Sequence, residues 1–372
     1  MRKLILLLLV FSILSCKQEK ETSMILIDYE NLDSINFFSE NIFKSVEPTY
    51  LDTNEGKILS SAIYLKIKND KYYILDKAEP AVVVFDHNGK CVIKLSKTGR
   101  GPGEYTSIRD FNITNDGNIE VLSPMSKVIR YSPTGELISE IDLKFSAYSF
   151  IQQNNDSYLF FCGRKKDSVM VNNTIVTTNR NFDYIKSSLP MTEFLLATYD
   201  EMNFSASTDS SILFKHVYDN NIYKIYPNTI TPALKINFGS KTYPQELFHV
   251  SSFSQAYDIV MKITAAYTRV AFENLDYLLL YIAEEGVDNN MSYLLINKNS
   301  GRTYYQKFPL KSSVIACFGA PVALTDKNEI IFIAEPVLLN ELCNKYNILS
   351  KLDKSKLGSN AGYVLLKFKL SK

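Results

Sequence analysis

Tyr72-Tyr73-Ile74-Leu75-Asp76, then Val82-Val83-Val84-Phe85-Asp86-His87-Asn88-Gly89-Lys90, then Val92-Ile93-Lys94-Leu95 is the stretch that decides the fold. It holds three runs of β-branched and aromatic residues parted by turn residues, and such runs read as short strands. The pattern recurs without a gap in Ile119-Glu120-Val121-Leu122, Val128-Ile129-Arg130-Tyr131-Ser132-Pro133-Thr134-Gly135-Glu136 and Leu137-Ile138-Ser139-Glu140-Ile141. Phe85 to Tyr131 is 46 positions, and so is Gly89 to Gly135. Asn88-Gly89 and Thr134-Gly135 supply the positive φ that a tight hairpin requires. A third copy of the hairpin runs from Leu294 to Tyr305, and a fainter one from Asn221 to Asn228.

A unit of about 40–50 residues with four short strands is the signature of a propeller blade. One such sheet cannot bury both of its faces, so neighbouring blades must pack together and the ring must close. The length divides into six blades, at about 56–99, 100–143, 144–191, 192–239, 240–310 and 311–372. The expected fold is therefore all-β, a six-bladed β-propeller with a short helical insertion in the last blade. In blade five, Pro244 to Lys262 reads as a helix or an irregular insertion. In blade six, Val314–Phe318 reads as the inner strand, Glu329–Ala334 as the second and Gly362–Leu370 as the third. An outer strand is then missing, and residues 43–52 are expected to supply it. Between the second and third strands, Leu338, Leu339, Leu342, Tyr346 and Leu349 recur at helical spacing behind Pro336, which predicts an amphipathic helix packed over the ring's own strands.

The start of the chain speaks to compartment. Arg2 and Lys3 precede an apolar run, Leu4 to Phe11, and then Ser12-Ile13-Leu14-Ser15-Cys16. A short charged start, a short apolar core and a small residue before the cut describe a secretory signal peptide. The run falls short of the about 20 apolar residues of a membrane span. Ile13-Leu14-Ser15-Cys16 resembles a bacterial lipobox, in which the cysteine takes the lipid, and Lys17-Gln18-Glu19-Lys20-Glu21 reads as a polar tether. The acidic residues of that tether resemble surface-export signals of Bacteroidetes lipoproteins. The expected organisation is a signal peptide at 1–15, a tether at 16–23 and one propeller domain at 24–372. The expected location is a membrane reached through the lipid alone, the outer membrane with its surface side included.

Composition narrows the partners. Two of the 41 basic residues, Arg2 and Lys3, lie in the signal peptide, which leaves 39 against 40 acidic residues. Such a balance offers no basic face for nucleic acid. Cys91, Cys162, Cys317 and Cys343 have no metal-ligand spacing, and buried thiols in strands are expected over a disulfide. His87, His216 and His249 are too far apart for a histidine-rich metal site. No metal or cofactor is expected, and the propeller is expected to be a monomer.

Lys97-Thr98-Gly99-Arg100-Gly101-Pro102-Gly103-Glu104-Tyr105 links the outer strand of blade one to the inner strand of blade two. Its glycines and proline make a tight turn with exposed backbone N–H groups. It lacks the Lys-Ser/Thr pair and the helix start of a phosphate-binding loop. With the strands around it, the Gly-Pro-Gly-Glu-Tyr run resembles a family of Bacteroidetes lipoproteins that are six-bladed β-propellers related to NHL-repeat propellers. The resemblance extends over residues 16 to 372 in layout and is specific over about 56 to 143. It implies a secreted or surface propeller and carries no catalytic residues to transfer. Arg100, Gly101, Gly103, Glu104 and Arg109 form the candidate channel-mouth loop. A clasp between blades, with Arg100 or Arg109 on Glu104 or Asp110, is the expected role, and ligand binding by the two guanidiniums is the alternative.

Two classes of function follow. The first is a non-catalytic binding or scaffolding module for a glycan, a peptide or another envelope protein. The second is a propeller hydrolase, lyase or lactonase, whose carboxylates, histidines or calcium ion would gather at the central channel. The acids available there are Asp76, Asp110, Asp326 and Glu335, scattered singles that read as turn caps and solvated charges. No Gly-x-Ser-x-Gly elbow and no His-Glu-x-x-His helix occurs.

Overall fold

A computed structural model describes residues 24–52, 59–60, 62–124, 126–162, 173–190, 202–217, 219–250, 252–358 and 362–371. The signal peptide, Cys16 and the tether lie outside the described residues. Six antiparallel sheets follow one another along the chain, with strands spanning 62–95, 110–142, 149–190, 204–237, 264–309 and 323–370. Each lies inside one of the six spans read from the sequence. The protein is a six-bladed β-propeller.

Strand alternation explains why these sheets assemble as they do. Successive side chains of a strand point to opposite faces. In the second strand of blade one, Tyr73 and Leu75 enter the core shared with blade two, while Tyr72 and Ile74 enter the core shared with blade six. In blade three, Tyr158 and Phe160 face blade two, and Leu159 and Phe161 face blade four. In blade five, Leu278, Leu280 and Ile282 face blade four, and Leu279, Tyr281 and Ala283 face blade six. The second strands are thus apolar on both sides, and six hydrophobic cores mark the six joins of a closed ring. Polar joins supplement them. Glu120, fully buried at the join of blades two and three, accepts from Arg130 Nη2 at 2.7 Å, Asn112 Nδ2 at 2.9 Å and Tyr158 OH at 2.9 Å.

Before blade one the chain straps three blades together. Strand β1 (Ile25–Asp28) pairs in parallel with the outer strand of blade four, from Ile25 on Leu234 to Asp28 on Asn237. Tyr29 is buried between Phe238 and Tyr305 and donates to Glu284 Oε1 at 3.1 Å in blade five. Ser34 bridges to Tyr305, and the backbone N–H of Phe37 donates to Gln306 Oε1 at 2.7 Å. Phe37 and Phe38 then enter the core between blades five and six. Strand β2 (Phe43–Tyr50) pairs antiparallel with Val364–Leu370 and forms the outer strand of blade six.

The last blade corrects one reading. Residues 314–318 are not its inner strand but part of helix α2 (Ser313–Phe318). Ser312 accepts from the Ile315 N–H and starts the helix, and Gly319, at φ 55°, ends it. A short apolar run fits a buried strand and a buried helix alike, because Val314, Ile315, Cys317 and Phe318 are covered in either form. The inner strand is instead the short Ala323–Leu324. The amphipathic segment behind Pro336 starts as helix α3 (Pro336–Leu342) and continues as two separate 3-10 turns, Asn347–Leu349 and Lys354–Lys356, with Leu339, Leu342, Tyr346 and Leu349 buried in the core of blades five and six. In blade five the stretch after Pro244 holds a 3-10 turn and the eight-residue helix α1 (Phe253–Val260).

Candidate functional site

Antiparallel order gives the ring two unlike faces. In each blade the first-to-second and third-to-outer turns share one end of the sheet. The second-to-third turn and the link to the next blade share the other. On the first face the connections are tight hairpins, and Asn69, Asp70, Gly89, Gly117, Gly135 and Gly301 all sit at positive φ there. The second, the loop face, carries α2, α3 and the Phe253–Val260 helix.

The centre of the loop face is the candidate site. A cleft of about 440 Å³ opens over blades five and six, lined by Arg269, Tyr281, Met291, Cys317, Glu335 and Tyr363 among others. Tyr64 and Met202 line its inner end. The same two residues border a second hollow of about 20 Å³, reaching Lys66, Arg109, Asp110 and Asn203 at the starts of the inner strands. Met202 lines both hollows and packs against the core of blades five and six and that of blades one and two. Arg269 is the extra residue of a β-bulge: Thr268 pairs with Ile282 and Val270 with Tyr281, one residue apart on the partner and two on this strand. Such a bulge re-aims a side chain. Burial raises the Tyr281 phenol, and the nearby Arg269 charge works against that rise. Burial raises the Cys317 thiol too, with the Glu335 charge adding to it.

Three of the four acids picked from the sequence are occupied by backbone donors. Asp76 accepts from the N–H of Ser60 at 2.5 Å, Ala78 at 3.0 Å and Glu79 at 3.2 Å. Asp110 accepts from the N–H of Phe111 at 2.8 Å and of Phe150 at 2.9 Å, which ties blade two to blade three. Burial raises its carboxyl above the ordinary range, against the pull of Lys66 and those donors. Glu335 caps α3 by accepting from the Leu338 N–H at 2.7 Å. Asp326 is exposed in the turn after the inner strand of blade six, on the face away from the cleft. Among the described residues no group of three or more His, Cys, Asp or Glu is placed to hold a metal ion.

The glycine-rich loop is split rather than gathered at the channel mouth. Its first half folds on itself beside the outer strands. Glu104 Oε2 accepts from the Gly101 N–H at 2.7 Å, and its carboxylate occupies the space a side chain at residue 99 would need. The Gly103 N–H donates to Glu140 Oε2 at 2.6 Å, and Gly103, at φ 69°, lies so close to Leu137 that a Cβ would stand 2.8 Å from its Cδ2. Arg100 is exposed. Only Arg109 reaches the channel. Its Nη1 donates to the Ala147 carbonyl at 2.6 Å, and its guanidinium lies 4.7 Å from the Tyr148 ring. It therefore joins blade two to blade three through a carbonyl and an aromatic face, where Glu104 or Asp110 was the expected partner. None of the four cysteines forms a disulfide, and only their placement differs from the reading: Cys91, half-buried, lies in an outer strand, whereas Cys162 is buried just past a strand, Cys317 lies in α2 and Cys343 follows α3.

Six blades closed into a ring, with all the described α-helices on one face, define the class as a six-bladed β-propeller. The chain belongs to the DUF5128 family, described as a 6-bladed beta-propeller, whose model matches residues 15–333. No curated protein matches the sequence. Among solved structures it is similar to a candidate exported protein of Bacteroides fragilis, with TM-score 0.72 and 18% identity over 94% of this chain and 99% of the other. It is also similar to a member of the DUF4221 family from Bacteroides vulgatus, with TM-score 0.57 and 11% identity over 90% of this chain and 100% of the other. At these identities the likeness is one of fold. Tyr64, Met202, Arg269 and Tyr363, which line the cleft, carry no spacing that the sequence reading could use.

Proposed function

We propose that this protein is a non-catalytic binding module of the cell envelope, held by a lipid on Cys16 at the outer membrane and presenting its loop face to a glycan, a peptide or another envelope protein. The observation that carries the reading is the cleft of about 440 Å³ on the one elaborated face, with Glu335 in its lining and Asp110 in the adjoining hollow both committed to backbone N–H groups. A mostly apolar hollow with a few convergent polar groups suits recognition. Export agrees with the signal-peptide pattern and with the description of the Bacteroides fragilis relative. Among the described residues no helix is long and apolar enough to cross a membrane. The test is a glycan array and a peptide array probed with the purified propeller and with Arg269→Ala. Capture by the wild type that is lost in the variant at unchanged melting temperature supports the reading. Turnover of a captured molecule would replace it with an enzyme.

A further inference from the structure

We infer that the outer rim of blades three and four rests on the lipid surface, so that the ring stands on edge and the cleft opens sideways. The inference rests on the lipid at Cys16 proposed above. Three observations carry it: where the described chain begins, how short the tether is, and what the rim there is made of.

Strand β1 is the outermost strand of blade four, fixed by its pairing with residues 234–237 and by Tyr29 buried behind it. The chain therefore leaves the ring at this rim. Residues 17–24 alone separate Cys16 from Ile25. At full stretch a segment of that length spans about 30 Å. A domain of this size is about 50 Å across, from a radius of gyration of about 20 Å. The tether is too short for the ring to stand on the rim of blade one, on its far side.

The rim itself exposes apolar side chains where the tether arrives, among charges of both signs that include Asp28 and Asp183. Met24, Ile25 and Leu26 are exposed, Leu26 at 67%. Lys235, the register partner of Leu26, is exposed beside it. The outer strand of blade three adjoins, since Lys186 Nζ donates to the Pro227 carbonyl in the hairpin of blade four at 3.3 Å. That strand exposes Tyr184 and Ile185. Aliphatic and tyrosine side chains flanked by lysines match the interface between acyl chains and headgroups, where apolar stems enter and ammonium groups stay in water. Exposed aliphatics occur on other rims too, such as Val92 on blade one, but those lie beyond the tether's reach.

The experiment uses the lipidated full-length protein on vesicles of phosphatidylcholine and phosphatidylglycerol, in a Cys91→Ser background. A fluorophore is placed on Leu26→Cys, Ile185→Cys or Val92→Cys; Ile185 and Val92 are equally exposed, at 54% and 52%. Quenching by headgroup-nitroxide lipid is expected to be severalfold greater at Leu26 and Ile185 than at Val92. Equal quenching at the three positions, or stronger quenching at Val92, with the protein still on the vesicles, overturns the edge-on placement alone. Failure of the wild type to stay on vesicles overturns the lipid anchor and this inference together.

Discussion

Gly89 and Gly135 show what a repeat enforces at single positions. Both sit at positive φ, 88° and 85°, in the third-to-outer hairpins of blades one and two. Both also press on the blade before: a Cβ at Gly89 would overlap the Tyr50 carbonyl oxygen of β2, and one at Gly135 would stand 2.8 Å from Ile93 Cδ1 of blade one. Gly301 shares the conformation, φ 71°, with nothing within 4 Å. Gly301→Ala should therefore cost only the left-handed backbone, about 1–2 kcal/mol, and Gly89→Ala clearly more, because a main-chain atom must move. Melting temperatures check the order, and equal losses would contradict it. Glu284 gives a second test. It is buried, which opposes ionisation, yet Lys241 Nζ at 2.6 Å, with Lys307 and Asn290, holds its carboxyl below the ordinary 4.5. A lowered carboxyl stabilises the fold above its unfolded pKa, and that share is lost as pH falls through the folded value. Lys241→Ala should be the less stable protein at pH 7, with the gap to wild type closing below about pH 4.5. A gap that stays constant down to pH 3 would refute this account.

Elements were legible where local pattern and packing agree. The strands of blades one and two could be read because hairpin glycines bracket runs whose two faces both end in apolar cores. Residues 314–318 could not, since five apolar residues carry no period and the capping serine and glycine decide the outcome. Likewise, the loop after Gly99 announces a turn but not its direction, which is fixed by Glu104 and by Glu140 on a different strand. The element with the largest expected effect is β2. It supplies the outer strand of blade six, and Phe43 is fully buried among Phe37, Phe38 and Phe368. A chain lacking residues 16–52 should lose the strap and the closing strand, leave an open sheet edge and melt far lower or aggregate. A chain lacking only residues 17–22 should melt like the full mature form. Equal melting of the two truncations would mean that the ring does not depend on its closure.

At the scale of the molecule, the ring and its blade number were legible because length, period and turn chemistry point the same way. The cleft was not, because Tyr64, Met202, Arg269, Glu335 and Tyr363 come from blades one, four, five and six and meet only after closure. The compartment is a matter for measurement: Cys16→Ala should move the protein from the membrane to the soluble fraction or block its processing, since the lipid is the proposed anchor. Equal retention of wild type and variant after salt washing would speak against lipidation. The pairing of β2 with Val364–Leu370 also sets a timetable. A chain that crosses a membrane from its first residues onward delivers the closing strand early and its partner more than three hundred residues later. Until residue 370 has crossed, blade six lacks its third strand, β2 has nothing to pair with, and the join of blades six and one lacks one of its walls. Under the proposed export, ring closure therefore waits for residues 364–370 to cross, and the blades already delivered stay open to proteases until then.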